Sequence, residues 1–118
     1  MGSSSNITSQ ITKKSTSDYI LNDENLFRLQ KKVVKLSGIP PEDISQKLIC
    51  VGKEPNGKRI DMLTIIFGLK DIERKPIMVF AHGYAASAAL YFGMYKRLME
   101  HFTVVTIDHL GMGASSRP

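Results

Sequence analysis

Three histidines, one aspartate and a set of glycines carry most of the chemistry open to this chain. His82-Gly83-Tyr84-Ala85 ends one apolar run, and Asp108-His109-Leu110-Gly111-Met112-Gly113-Ala114-Ser115 ends the next. Small residues let a backbone approach a ligand closely, so both corners could aim amide hydrogens at a substrate. No Gly-x-Ser-x-Gly nucleophile turn occurs in the 118 residues. Gly111-Met112-Gly113-Ala114-Ser115-Ser116 imitates a dinucleotide-binding Gly-x-Gly-x-x-Gly, but a serine holds the third position and the turn does not close the first strand of its unit. No histidines and carboxylates share metal-ligand spacing, so neither a metal nor a cofactor is expected. The lone Cys50, within Leu48-Ile49-Cys50-Val51, reads as a small core residue of a protein from a reducing compartment.

The elements that must position these corners follow from periodicity. Pro76–Ala81 is a short continuous apolar run, as in a strand covered on both faces. Tyr91, Met94, Tyr95, Leu98 and Phe102 recur at helical spacing, predicting a helix from about Ala88 to His101 with Ser87 as its cap. Thr103–Ile107 is a second β-branched strand, so the unit is β-α-β with a right-handed crossover and parallel strands. Upstream, Lys47–Lys53 and Arg59–Phe67 flank Pro55-Asn56-Gly57-Lys58, a hairpin signal. On the second of these strands Ile60, Met62, Thr64 and Ile66 share one face and Leu63, Ile65 and Phe67 the other, as in a strand inside a larger sheet.

Asn22–Ser37 reads as a helix, with Leu26, Leu29, Val33 and Leu36 as its apolar face and Arg28, Lys31, Lys32 and Lys35 on a separate basic stripe. Residues 1–20 are expected to be disordered, 21–44 to form this amphipathic helix and a Pro-rich hinge, and 45–118 to form a partial α/β domain. The start, Met1-Gly2-Ser3-Ser4-Ser5-Asn6, departs from a myristoylation signal at its sixth position. Asn6-Ile7-Thr8 matches a glycosylation sequon without a secretory leader to give it meaning.

His82-Gly83-Tyr84 after one strand and Asp108-x-x-Gly111-x-Gly113-x-Ser115 after the next together resemble the α/β-hydrolase fold. The closing segment is similar to its lysophospholipase and acyltransferase-like lipid-protein branch. The resemblance covers roughly residues 45–118. It implies an α/β class: the N-terminal portion of an α/β-hydrolase sheet, an antiparallel hairpin leading into a parallel β-α-β unit, incomplete. It further implies a serine hydrolase of carboxylic esters or lipids, or an acyltransferase, using no cofactor. In such enzymes backbone N–H groups stabilise the oxyanion of an attacked carbonyl. The implied donors here are the amides of Tyr84 and, second to it, Ala85. His82, Gly83, Asp108, Gly111, Gly113 and Ser115 take structural roles in the two corners. Triad members in this fold follow the order nucleophile, acid, base, which removes His82, His101, His109 and Asp108 from the triad. The nucleophile, acid and base would lie outside this chain, leaving the 118 residues inactive alone. The alternative is a non-catalytic regulator of lipid metabolism with the same fold.

Composition is that of a globular protein, 42% hydrophobic and 23% charged. The formal net charge of +5 sits mostly in residues 1–75, which hold 13 Lys/Arg against 9 Asp/Glu without interleaved aromatics. That pattern argues for a basic surface and against a nucleic-acid partner. The expected partner is an ester or lipid substrate. The expected location is cytoplasmic; the basic stripe within residues 22–37 reads as a solvated outer face, with contact to a membrane or lipid droplet as the alternative.

Overall fold

A computed structural model of the chain describes residues 23–118. The expectations for the N-terminal tail, the myristoylation signal and the sequon therefore lie outside the described residues. Four strands form one sheet: β1 (Ile44–Lys53), β2 (Arg59–Phe67), β3 (Ile77–Ala81) and β4 (Thr103–Ile107). Their spatial order is β1-β2-β4-β3. β1–β2 and β2–β4 are antiparallel, and β3–β4 is parallel. The hairpin thus leads into a β-α-β crossover, as the alternation of apolar runs indicated. Among the described residues two α-helices accompany the sheet, α1 (Asp23–Val34) and α2 (Phe92–Leu98). No helix among the described residues is long and apolar enough to cross a membrane.

Local chemistry explains the turns. Within Glu54–Lys58, Gly57 alone takes a positive φ, at 86°, while the Asn56 side chain accepts from the Lys58 amide at 2.9 Å. The asparagine therefore caps the loop instead of sharing the left-handed conformation. β1 begins at Ile44, three residues before its expected start, and carries a bulge where Cys50 faces Asp61 and Gly52 faces Ile60. Cys50 is exposed, contrary to the core placement its apolar neighbours suggested. β1 is an edge strand, and Ile49 and Val51 beside it are exposed as well.

One face of the sheet holds the core. Leu63, Ile65 and Phe67 of β2 and Val104 of β4 are fully buried against Val34, Ile39, Ala88, Ala89, Tyr95 and Ala114. The opposite face is open: Ile77 and Val79 of β3 are 59% and 68% exposed, so this strand is not covered on both sides among the described residues. The Tyr95 ring stacks on Phe67 at 4.3 Å, and its hydroxyl donates to the Ala88 carbonyl. Burial pushes the Tyr95 phenol up to about 12, because the phenolate would lose water without gaining a cation. This group favours the folded state below the ordinary phenol value, and that contribution is lost as pH rises through its folded value. Phenolate absorbance should show one late component near pH 12, absent in Tyr95→Phe; an unaltered titration would refute the burial.

The amphipathic helices are displaced from the expected pattern. α1 turns Gln30 and Val34 inward, while Leu29 and Leu36 are 44% and 66% exposed. A polar contact made by Gln30 sets this rotation. The second helix is shorter than its periodicity suggested: Ala88–Tyr91 is 3-10, α2 covers only Phe92–Leu98, and Gly93 lies in its first turn.

Candidate functional site: two corners at one sheet edge

The parallel strands β3 and β4 end side by side, with Ala81 opposite Ile107, so the two glycine corners are neighbours. His82 joins them. Its Nε2 accepts the His109 amide at 3.0 Å, and the His109 ring Nε2–H donates to the His82 carbonyl at 2.9 Å. An accepting Nε2 places the His82 proton on Nδ1, which donates to the Gly83 carbonyl at 2.8 Å. The ring is buried, and its edge contact with His109 has a centroid distance of 4.3 Å. With both ring nitrogens committed, His82 holds one corner against the other.

Asp108 organises the second corner. It is fully buried. Oδ1 accepts the Ala88 amide at 2.7 Å, and Oδ2 accepts the Ala114 amide at 3.0 Å together with the side-chain Nε2–H of Gln30. Asp108 thereby caps the segment leading to α2 from twenty residues away. Ser87 occupies the cap position but makes no side-chain capping bond, which corrects the expectation for that residue. Of its two backbone donors, Ala88 opens a 3-10 segment, where a negative group is favoured, and Ala114 belongs to the turn after β4.

The rest of this corner is pinned to β2. The Asp108 amide donates to the Leu63 carbonyl at 3.0 Å. Ser115 Oγ donates to the Asp108 carbonyl and accepts the Leu63 amide at 2.8 Å. Ser116 exchanges backbone and side-chain bonds with Asp61, and its carbonyl accepts the Gly111 amide at 2.8 Å. Ser116 matters more than the sequence suggested: two hydroxyls at the end of an irregular segment prolong the ladder of β2, a role without a periodic signature. Gly111 and Gly113 adopt positive φ values of 82° and 53°. The amides of Gly111, Met112, Ala114, Ser115 and Ser116 all serve internal acceptors, so this loop has few donors left for a pyrophosphate.

The first corner is different. The Ala86 amide donates to the Gly83 carbonyl at 3.3 Å, closing a turn over Tyr84 and Ala85. The left-handed residue of that turn is Ala85, at φ 57°, and not Gly83, around which a Cβ would meet open space. Positive φ at the third turn position alone is the mark of a type II turn, which normally asks for glycine there. A non-glycine in that conformation stores strain of order 1 kcal/mol, and such strain concentrates at functional corners. Both central residues are exposed, Tyr84 at 93%. Among the described residues, the Tyr84 and Ala85 amides donate to no acceptor. His101 stands apart, exposed in the turn after α2. Arg28, Lys31 and Lys32 of α1 and Lys35 of the 3-10 turn after it are all exposed, with Leu29 and Leu36 among them. No metal-binding group of three or more His, Cys, Asp or Glu occurs among the described residues.

Comparison with known proteins gives partial matches. No protein-family model matches the chain. A 1-acylglycerol-3-phosphate O-acyltransferase of Arabidopsis thaliana is 34% identical over 84 residues, covering 62% of this chain and 20% of that protein. A 2-(acetamidomethylene)succinate hydrolase of Mesorhizobium japonicum is 30% identical over 61 residues, covering 52% of this chain and 22% of the relative. The chain thus spans about a fifth of the length of the curated relatives it matches. A crystal structure of a membrane phospholipase A, a bacterial virulence factor, superposes with a TM-score of 0.54 at 18% identity, covering all of this chain and 34% of the other.

Proposed function

We propose that this chain, which forms the N-terminal portion of an α/β-hydrolase fold, supplies the oxyanion loop for acyl-group chemistry on a carboxylic ester or lipid, by hydrolysis or acyl transfer. The observation that carries the reading is the contrast between the corners. The second spends its amides on its own fold, whereas the consecutive amides of the exposed residues Tyr84 and Ala85 donate to no acceptor among the described residues. The turn that displays them is clamped at one end by His82 and at the other by the Asp108 bond to Ala88. Such preorganisation lets donors stabilise developing negative charge without reorganising during the reaction.

In this mechanism a nucleophile from sequence outside the chain attacks the substrate carbonyl. The electron pair of the C=O bond moves onto oxygen, and the Tyr84 amide, with Ala85 as the second candidate, donates to that oxyanion. Collapse re-forms the C=O bond as the ester C–O bond breaks. The leaving oxygen takes up the proton given up by the nucleophile and departs as the alcohol, and water or an acceptor alcohol then removes the acyl group from the nucleophile. The lipid assignment draws support from the names of the Arabidopsis relative and of the phospholipase neighbour.

The test replaces the Tyr84 amide by an ester, using the corresponding hydroxy acid at position 84 of the full-length protein. This deletes one N–H and leaves the side chain. Turnover of an ester or acyl-donor substrate should fall by roughly 10²–10³ in kcat, with KM little changed. The same replacement at Ala85 should have the smaller effect. Unchanged kcat in both would remove the turn from the reaction.

A further inference from the structure

Between α1 and the edge strand β1 lies a half-open cleft that shares no residue with the two corners. By register, Ile44, Gln46 and Leu48 stand opposite Phe67, Ile65 and Leu63, so Gln46 lies on the core face of the sheet among apolar neighbours. Its amide nitrogen is buried and has no hydrogen-bond partner among the described residues. Such a group is costly to leave unpaired and calls for an explanation. The cleft has a volume of about 630 Å³, within the ~300–1,000 Å³ range of small-molecule sites. Val34, Ile39, Ile44 and Leu69 supply apolar walls.

Charge gives the cleft a polarity. Lys31 of α1, Lys35 in the 3-10 turn that follows it and Lys47 of β1 also line it, and all three are exposed. Lys31 Nζ lies 4.9 Å from the Phe27 ring centroid. Among the described residues none of these lysines meets a carboxylate, and no acid lines the cleft. The neighbouring acids are engaged elsewhere: Glu42 pairs with Lys70 at 3.8 Å, and Asp43 accepts the Lys70 amide at 2.9 Å. A fitting ligand has hydrocarbon for the walls, an anion for the lysines and an oxygen to accept from Gln46. A bare anion would leave the walls wet. A nucleotide would find no aromatic ring or guanidinium lining the cleft to stack on.

We propose that this cleft binds a single-chain anionic amphiphile of the fatty-acid type, with its tail along Val34, Ile39 and Leu69 and its carboxylate held by Lys31, Lys35 and the Gln46 amide. The proposal stands on the cleft alone and does not depend on acyl chemistry at Tyr84.

Calorimetric titration of the full-length protein with laurate, kept below its micelle concentration, tests it. Saturable binding is expected, with dodecanol at least ten-fold weaker and inorganic phosphate without measurable binding. Lys31→Glu and Lys35→Glu should each weaken laurate about five-fold, the effect of a modest exposed ion pair. Both sites are exposed, so these variants keep the fold. Gln46→Leu should weaken laurate while leaving the unfolding midpoint unchanged or raised, because it removes an unpaired polar group. Equal affinity for laurate and dodecanol, or laurate affinity indifferent to both lysine variants, would overturn the proposal. So would binding to anionic vesicles with no uptake of monomeric laurate, which would assign the lysines to a membrane surface.

Discussion

Gly113→Ala is expected to destabilise the fold severely, by about 3–5 kcal/mol in denaturant unfolding of the full-length protein. Two effects add at this position. The backbone sits at φ 53°, where an L side chain is strained, and a Cβ would stand 3.0 Å from Asp108 Oδ1 and closer still to Oδ2 and Cγ. The carboxylate cannot step aside cheaply, because the Ala88 and Ala114 amides and the Gln30 side chain hold it in place. Native margins are only about 5–15 kcal/mol, so such a loss removes a large share of the margin and should lower the unfolding midpoint markedly. Gly111→Ala is the control. Its φ is 82° but nothing lies within 4 Å of the added carbon, so only the backbone effect remains, about 1 kcal/mol. Equal costs at the two glycines would mean that close approach to Asp108 does not dictate the residue at 113.

That contrast shows what the sequence could and could not convey. The hairpin, the parallel pair and the two corners were legible, because continuous β-branched runs and Asn56-Gly57 are local signals and the parallel crossover has one preferred hand; the insertion of β4 between β2 and β3 was not. His82-Gly83-Tyr84-Ala85 was legible as a turn, but not which residue would be left-handed. Glycine is the default choice, and Ala85 takes that role against its own preference. The inward face of α1 was read only in part: Leu26 and Val33 pack against the core as expected, but periodicity ranks leucine above glutamine and so missed Gln30. The helix rotates to deliver Gln30 to an aspartate 78 residues away, at the expense of exposing Leu29 and Leu36. Long-range polar pairing leaves no trace in a hydropathy pattern. For the same reason Ser87 looked like a cap and Asp108 did not: the capping bond crosses the sheet edge instead of running along the chain. Cys50 looked buried because its neighbours are apolar, yet an edge strand exposes such residues.

The bond from Gln30 to Asp108 gives the second large effect and ties α1 to the proposed oxyanion turn. Asp108→Asn keeps the shape but turns an NH₂ toward donors. The carboxylate accepts from three N–H groups, and an amide oxygen can serve only those on its own side. Buried donors left facing a donor cost more than the lost bonds themselves, so a loss of about 2–4 kcal/mol is expected in denaturant unfolding. Gln30→Leu removes one donor and keeps a residue of similar reach, costing about 1.5–3 kcal/mol, the range for a hydrogen bond to a charged group. The two losses should not add. Once Asp108 is replaced, Gln30 no longer has an anion to satisfy, so the double variant should be more stable than the sum of the singles by about 0.5–3 kcal/mol. Functionally, Asp108→Asn also loosens the cap at Ala88, and the turn over Tyr84 and Ala85 loses its second clamp; kcat should fall more than KM rises. Gln30→Leu leaves both backbone donors of Asp108 in place and should affect stability more than turnover. A coupling energy near zero would mean that the helix is held by its apolar contacts alone, and that the corner gains nothing from the glutamine.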